Sequence, residues 1–140
     1  MIKDYISPKG EKALIQVAEW LEAGAPHVDI NGRKIDQFDM ESIVDQNNSC
    51  GTSCCIAGAV MQFNRLSLKG SEEDDWWFDK GRDKVAKYVG ISRHDADELF
   101  SPWNQSTLDR EYLDYSQPKT AAKVVRHFIE TGVVDWEKFM

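Results

Sequence analysis

Cys54-Cys55-Ile56-Ala57-Gly58-Ala59-Val60-Met61-Gln62-Phe63 is the most continuously apolar stretch of the 140-residue chain. It is too long for a typical buried strand, and its apolar residues leave no polar helical face. A helix apolar on every side is a buried one. The small residues at 57, 58 and 59 allow neighbouring helices to come close. Residues 53–65 therefore read as a central helix that other helices must surround, with Thr52 or Ser53 as its cap.

Upstream lies a polar run, Asp45-Gln-Asn-Asn-Ser-Cys-Gly51, which reads as a loop. Before it, Val28-Asp-Ile30-Asn31-Gly32-Arg-Lys-Ile35 alternates apolar and polar residues around Asn-Gly, the signature of a tight hairpin. Ser7-Pro8 has the form of a helix start, with a hydroxyl cap followed by proline. Leu14, Val17, Ala18 and Leu21 then fall on one helical face, and Gly24 and Pro26 stop it. A helix over 8–23 follows.

Downstream, Ser71-Glu-Glu-Asp74 resembles a capping box, and the acids before Lys80, Arg82, Lys84 and Lys87 suit a helix dipole. That helix ends at Gly90. Ser92 caps the next, which carries Ala96, Leu99 and Phe100 and stops at Pro102. Residues 104–117 read as a long polar loop or a short helix. Pro118 opens the last helix, with Ala121, Val124, Val125, Phe128 and Ile129 on one face and Gly132 at its end. Trp136 and Phe139 are placed to dock the tail. The expected fold is mainly α, a single compact domain over residues 1–140 with five or six helices and a small β-hairpin.

The formal charge is −7, from 17 basic and 24 acidic residues. Five carboxylates, Glu72, Glu73, Asp74, Asp75 and Asp79, account for most of it. This balance disfavours nucleic acid as a partner. The three cysteines, Cys50, Cys54 and Cys55, are odd in number and lie within six positions, a poor disulfide framework. Met1–Ile6 is too short and polar for a secretory signal, and no apolar run reaches the ~20 residues of a membrane span. The expectation is a cytoplasmic chain with free thiols and no membrane partner.

Five constellations could carry chemistry or binding. Val85–Leu99 has the small-residue spacing of a helix-turn-helix, but its second helix sets Arg93 against Asp95, Asp97 and Glu98, which oppose a DNA backbone. Cys50 and Cys54 lie where a helix start would activate a thiol; His127, in a helical run, is the candidate base, with His94 and His27 the other choices. Gln46 and the Cys-Gly-x-x-Cys spelling are similar to papain-like peptidases, although the chain offers few strands for their sheet. Cysteines at a helix start are more simply small apolar packing residues. Gly51-Thr52-Ser53 could cradle a phosphate at that helix start, but no Walker lysine accompanies it. Cys50-x3-Cys54 lacks the second ligand pair of a zinc site, so no metal or other cofactor is expected. The last is Asp74-Asp75-Trp76-Trp77-Phe78. Three adjacent aromatics cannot all face one core, and such a segment can form an interface hot spot.

Phe38-Asp39-Met40, Cys50-Gly51-Thr52-x-x-Cys55-Ile56-Ala57-Gly58-x-Val60, Ala86-x-x-Val89-Gly90-Ile91-Ser92 and Ala96-x-x-Leu99-Phe100 occur in this order. Together, over positions 38–103, they resemble a family of small bacteriophage and bacterial proteins that brings no established catalytic activity. Where that family often has an aromatic residue or histidine, after Gly58, this chain has Ala59. The resemblance implies a phage origin. The reading is a non-enzymatic accessory protein that binds, and modulates or inhibits, a host protein, such as one of host defence. A cysteine-dependent hydrolase or transferase and a binder of a phosphate-bearing small ligand are the alternatives. A homo-oligomer through the aromatics stays open.

Overall fold

Ser7 begins α1 (Pro8–Glu22) with extended backbone and a hydroxyl that accepts the Gly10 N–H at 2.9 Å. The computed structural model describes residues 3–30, 33–35, 37–38, 44–48, 51–66, 75–100 and 117–139. Within these the chain is mainly helical. The other helices are α2 (Ile56–Phe63), α3 (Asp75–Val89), α4 (Arg93–Phe100) and α5 (Pro118–Thr131). Capping explains several boundaries. Ser92 Oγ accepts the Asp95 N–H at 3.0 Å to start α4, and Gly90 and Gly132 take left-handed backbone at the ends of α3 and α5.

Strands β1 (Val28–Ile30) and β2 (Arg33–Ile35) pair antiparallel, with Ile30 opposite Arg33, which leaves the two residues Asn-Gly between them. This is the expected hairpin, and Ile35 anchors it in the core at 1% exposure. A second sheet was not expected. It has the order β3-β5-β4, formed by Gln37–Phe38, Gly51–Cys54 and Val44–Asn48. The run Asp45–Asn48 is thus strand and not loop. Its Gln and Asn residues have low strand propensity, so the assignment comes from pairing with β5 and not from side-chain pattern.

The core is where the apolar periodicity puts it. Leu14, Val17, Ala18 and Leu21 of α1 are buried, as are Ala121, Val124, Val125, Phe128 and Ile129 of α5, and these two helices form the broadest helix–helix contact. Every residue of α2 from Ile56 to Gln62 is buried. This helix touches α1, α3, α4, β2 and β5, so it is central as its composition requires. Trp136 is fully buried, and its indole N–H donates to the Glu98 carbonyl at 3.0 Å, which docks the tail on α4. The capping-box residues 71–74, Pro102 and residues 103–116 lie outside the described residues.

The tightest contact joins the start of α1 to the end of α3. The Ser7 N–H and hydroxyl both donate to the Val89 carbonyl, at 3.1 and 2.7 Å. A Cβ on Gly10 would lie 1.8 Å from that same oxygen, so only glycine fits there. Gly10→Ala must force the two helices apart because its obstacle is backbone. The expected loss is about 3 kcal/mol in urea denaturation, the upper end for overpacking. Ser7→Ala, which keeps its main-chain bond, should lose about 1 kcal/mol. An unchanged midpoint for Gly10→Ala would show that the helices do not meet this closely.

Candidate functional site

The thiol-bearing segment folds differently from its expected form. Residues 51–54 are the middle strand β5, and α2 begins only at Ile56. Ser53 pairs with Gln37 on one side and Asp45 on the other; Cys54 pairs with Phe38 and Val44. Gly51 is opposite Asn48. Gly51-Thr52-Ser53 is therefore not a helix start. The helix-start setting expected for these three residues therefore gives way to a strand setting.

The cap of α2 is Cys55, neither Thr52 nor Ser53. Its backbone is extended, and its sulfur accepts the Gly58 N–H at 3.5 Å. The residue is fully buried among core side chains. A thiolate must meet its electrophile, so burial keeps this sulfur from acting as a nucleophile while the native core stays closed. Sulfur is a weak acceptor, which explains why the sequence pointed to the nearby hydroxyls instead. Cys50 lies outside the described residues, and Cys54 sits on β5 one position before the cap.

His127 is half-buried on α5, with its ring edge-on to Phe139 at 5.6 Å. The carbonyl of His127 accepts the Thr131 hydroxyl at 2.8 Å. Both contacts belong to the end of α5 and the docked tail. The other two histidines are exposed, and His94 lies 3.2 Å from Glu98 within α4. Among the described residues no group of three or more His, Cys, Asp or Glu side chains could hold a metal ion.

α3, the three residues Gly90-Ile91-Ser92, and α4 form two packed helices around a short turn. The turn has the expected glycine in left-handed conformation, at φ +77°. Arg82 of α3 approaches Asp97 of α4 at 3.6 Å. One cation of the pair is therefore matched by an acid of the helix that would have to approach a DNA backbone.

Asp75, Trp76, Trp77 and Phe78 open α3, while Asp74 lies outside the described residues. In the second half of this helix Val85, Ala86 and Val89 are buried. At 100° per residue, position 78 lies in phase with that stripe, while positions 76 and 77 are each rotated about 130° away from its centre. Helix periodicity therefore does not put the three positions on one line of α3. In the second half of α3 the Tyr88 hydroxyl donates to Asn64 at 3.1 Å, beneath the Lys9 ammonium.

Among the described residues no helix is long and apolar enough to cross a membrane. No protein-family model, curated protein or solved structure matches the chain.

The buried cap makes a direct chemical prediction. Iodoacetamide applied to the native chain should leave Cys55 unmodified, while the same treatment in denaturant labels it fully. Rapid native-state labelling of Cys55, read by peptide mass spectrometry, would show that the core opens to reagents.

Proposed function

We propose that the chain is a non-enzymatic accessory protein, encoded by a phage, that binds a host protein in the host cytoplasm through the first turns of α3. The observation carrying this reading is the helical phase of Trp76 and Trp77. Both positions fall away from the stripe that α3 gives to the core, in a stretch that also holds Asp75 and Asp79. Tryptophan is the residue type most enriched among interface hot spots, and surrounding carboxylates steer a basic partner toward it. The family resemblance over positions 38–103 supports a phage origin. The burial of Cys55 adds to the case by removing one thiol from the inventory of an enzyme.

The test is affinity capture from lysate of the natural host with the tagged full chain, beside its Trp77→Ala variant. The variant should weaken capture by about 2 kcal/mol, roughly thirtyfold, and leave the thermal midpoint nearly unchanged. Phe78→Ala, in phase with the core, should instead lower the midpoint, with a cost of about 3 kcal/mol or more. A midpoint that collapses in Trp77→Ala would make that residue part of the core and overturn the reading. Undiminished capture by the variant would do the same.

A further inference from the structure

Beyond Thr131 the chain leaves α5 through a hinge and returns to the core as a separate segment. Gly132 takes left-handed backbone at φ +79°, and its N–H donates to the Phe128 carbonyl at 2.8 Å. The Thr131 hydroxyl donates to the His127 carbonyl at 2.8 Å and accepts the Val133 N–H at 3.2 Å. Past this turn Val134 and Trp136 are buried at alternate positions, the pattern of an extended peptide laid against a receptor. Trp136 hydrogen-bonds to the Glu98 carbonyl of α4, and Phe139 lies edge-on to His127 of α5. The segment builds its own turn, with the Lys138 N–H on Asp135 Oδ1 and the Phe139 N–H on the Trp136 carbonyl. It can therefore leave and redock as one unit.

Val133 breaks the pattern. Among the described residues it is the large apolar side chain that faces solvent, at 52% exposure, and it sits on the hinge itself. An isolated exposed valine is ordinary on a protein surface. At a hinge it has a use.

We infer that two copies of the chain exchange residues 133–139 across a two-fold axis, each segment filling the other copy's docking site on α4 and α5. The occupant is a second copy because this site already fits Val134, Trp136 and Phe139, and a second copy brings the same side chains to the same partners. Opening turns Gly132 from left-handed to helical backbone, which glycine adopts without a steric clash, and α5 runs on through the hinge. The two hinges then lie side by side at the axis, where Val133 of one copy covers Val133 of the other. The exchanged contacts equal those of the closed chain, so the balance rests on the hinge and on concentration. The inference uses none of α3 and is independent of the partner surface proposed above.

Gly132→Ala tests it. A Cβ at this position would meet the Tyr5 ring at 2.7 Å, and alanine disfavours left-handed backbone while favouring helix, so the variant penalises the closed hinge. Two hinges open per dimer, so association should tighten about thirtyfold or more relative to the unaltered chain. Sedimentation equilibrium reads this as a rise from 16.0 kDa toward twice that mass. NMR on isotope-labelled and unlabelled copies refolded together should then show contacts between the Phe139 and His127 rings of different copies. Adding Val133→Asp sets two carboxylates at the axis in place of an apolar contact and should weaken the Gly132→Ala dimer about tenfold. Should Gly132→Ala fail to fold by circular dichroism, Thr131→Val decides, because it removes the hinge hydroxyl at an exposed position. It should tighten association about tenfold. A folded variant that stays monomeric up to about 1 mM, or a dimer without ring contacts between copies, overturns the inference.

Discussion

The Val89 carbonyl at the end of α3 takes two hydrogen bonds from Ser7, and Gly10 presents no side chain to keep the helices apart. This contact sets the start of α1 directly on the end of α3. The arrangement is electrostatically favourable, since unpaired amides at a helix start carry partial positive charge and the carbonyls at a helix end carry the opposite. Ser7 serves both ends at once, accepting from Gly10 and donating to Val89. Gly90 completes the junction, because a Cβ there would meet the Ser7 side chain at 2.7 Å and its φ is +77°. With α1 fixed against α3, the apolar faces of α1 and α5 enclose the core from one side while α2 fills its centre.

The same short segment before α1 also closes the end of α5. Tyr5 and Lys3 both donate to the Ile129 carbonyl at 2.7 Å, and the Tyr5 ring lies against Gly132 and edge-on to Phe128. Lys3 is held in its charged form chiefly by its hydrogen bond to Glu11, which raises its pKa. A cation at the end of a helix complements the dipole, and here it arrives from a segment remote in sequence because the last turn of α5 has no basic residue of its own. At the outer edge of the α1–α5 contact, Arg126 binds Glu22 through two hydrogen bonds, lowering the glutamate's pKa and raising its own. That pair is exposed, so it orients the helices more than it stabilises them.

Those parts of the fold that follow local rules were legible in the sequence. The 3.6-residue periodicity located the buried faces of α1 and α5, and Asn-Gly between alternating residues located the hairpin. Serine located the starts of α1 and α4, and glycine located the end of α3. The misses share a cause, which is dependence on a partner distant in sequence. Gly10 looks like an unfavourable helix residue until Val89 is seen behind it. Val44–Asn48 has no strand pattern, and only β5 makes it a strand. The central helix was recognised by its apolar run but begins three residues later than expected. The apolar run continues through the end of β5, so composition could not mark the boundary. At the site, the burial of the cysteine segment was legible for Cys55, but its use as a cap was not, because sulfur is seldom a strong enough acceptor to be expected there.

A buried α2 constrains where function can reside. Its residues from Ile56 to Gln62 are buried, and its cap sulfur accepts the Gly58 N–H, so the most distinctive stretch of the sequence is spent on packing. Chemistry or recognition must come from residues that the core does not claim. α3 divides its length in this way. Its second half supplies Val85, Ala86 and Val89 to the interior and its last carbonyl to Ser7, while its first half begins with acids and tryptophans that a single buried stripe cannot absorb. The junction at Val89 fixes one end of a continuous 15-residue helix. Rigidity of the helix then carries that fixed position to its other end. If the first turns of α3 bind a partner as proposed, a segment held this way loses less conformational freedom on binding than a free loop of the same sequence, which favours affinity from only a few side chains.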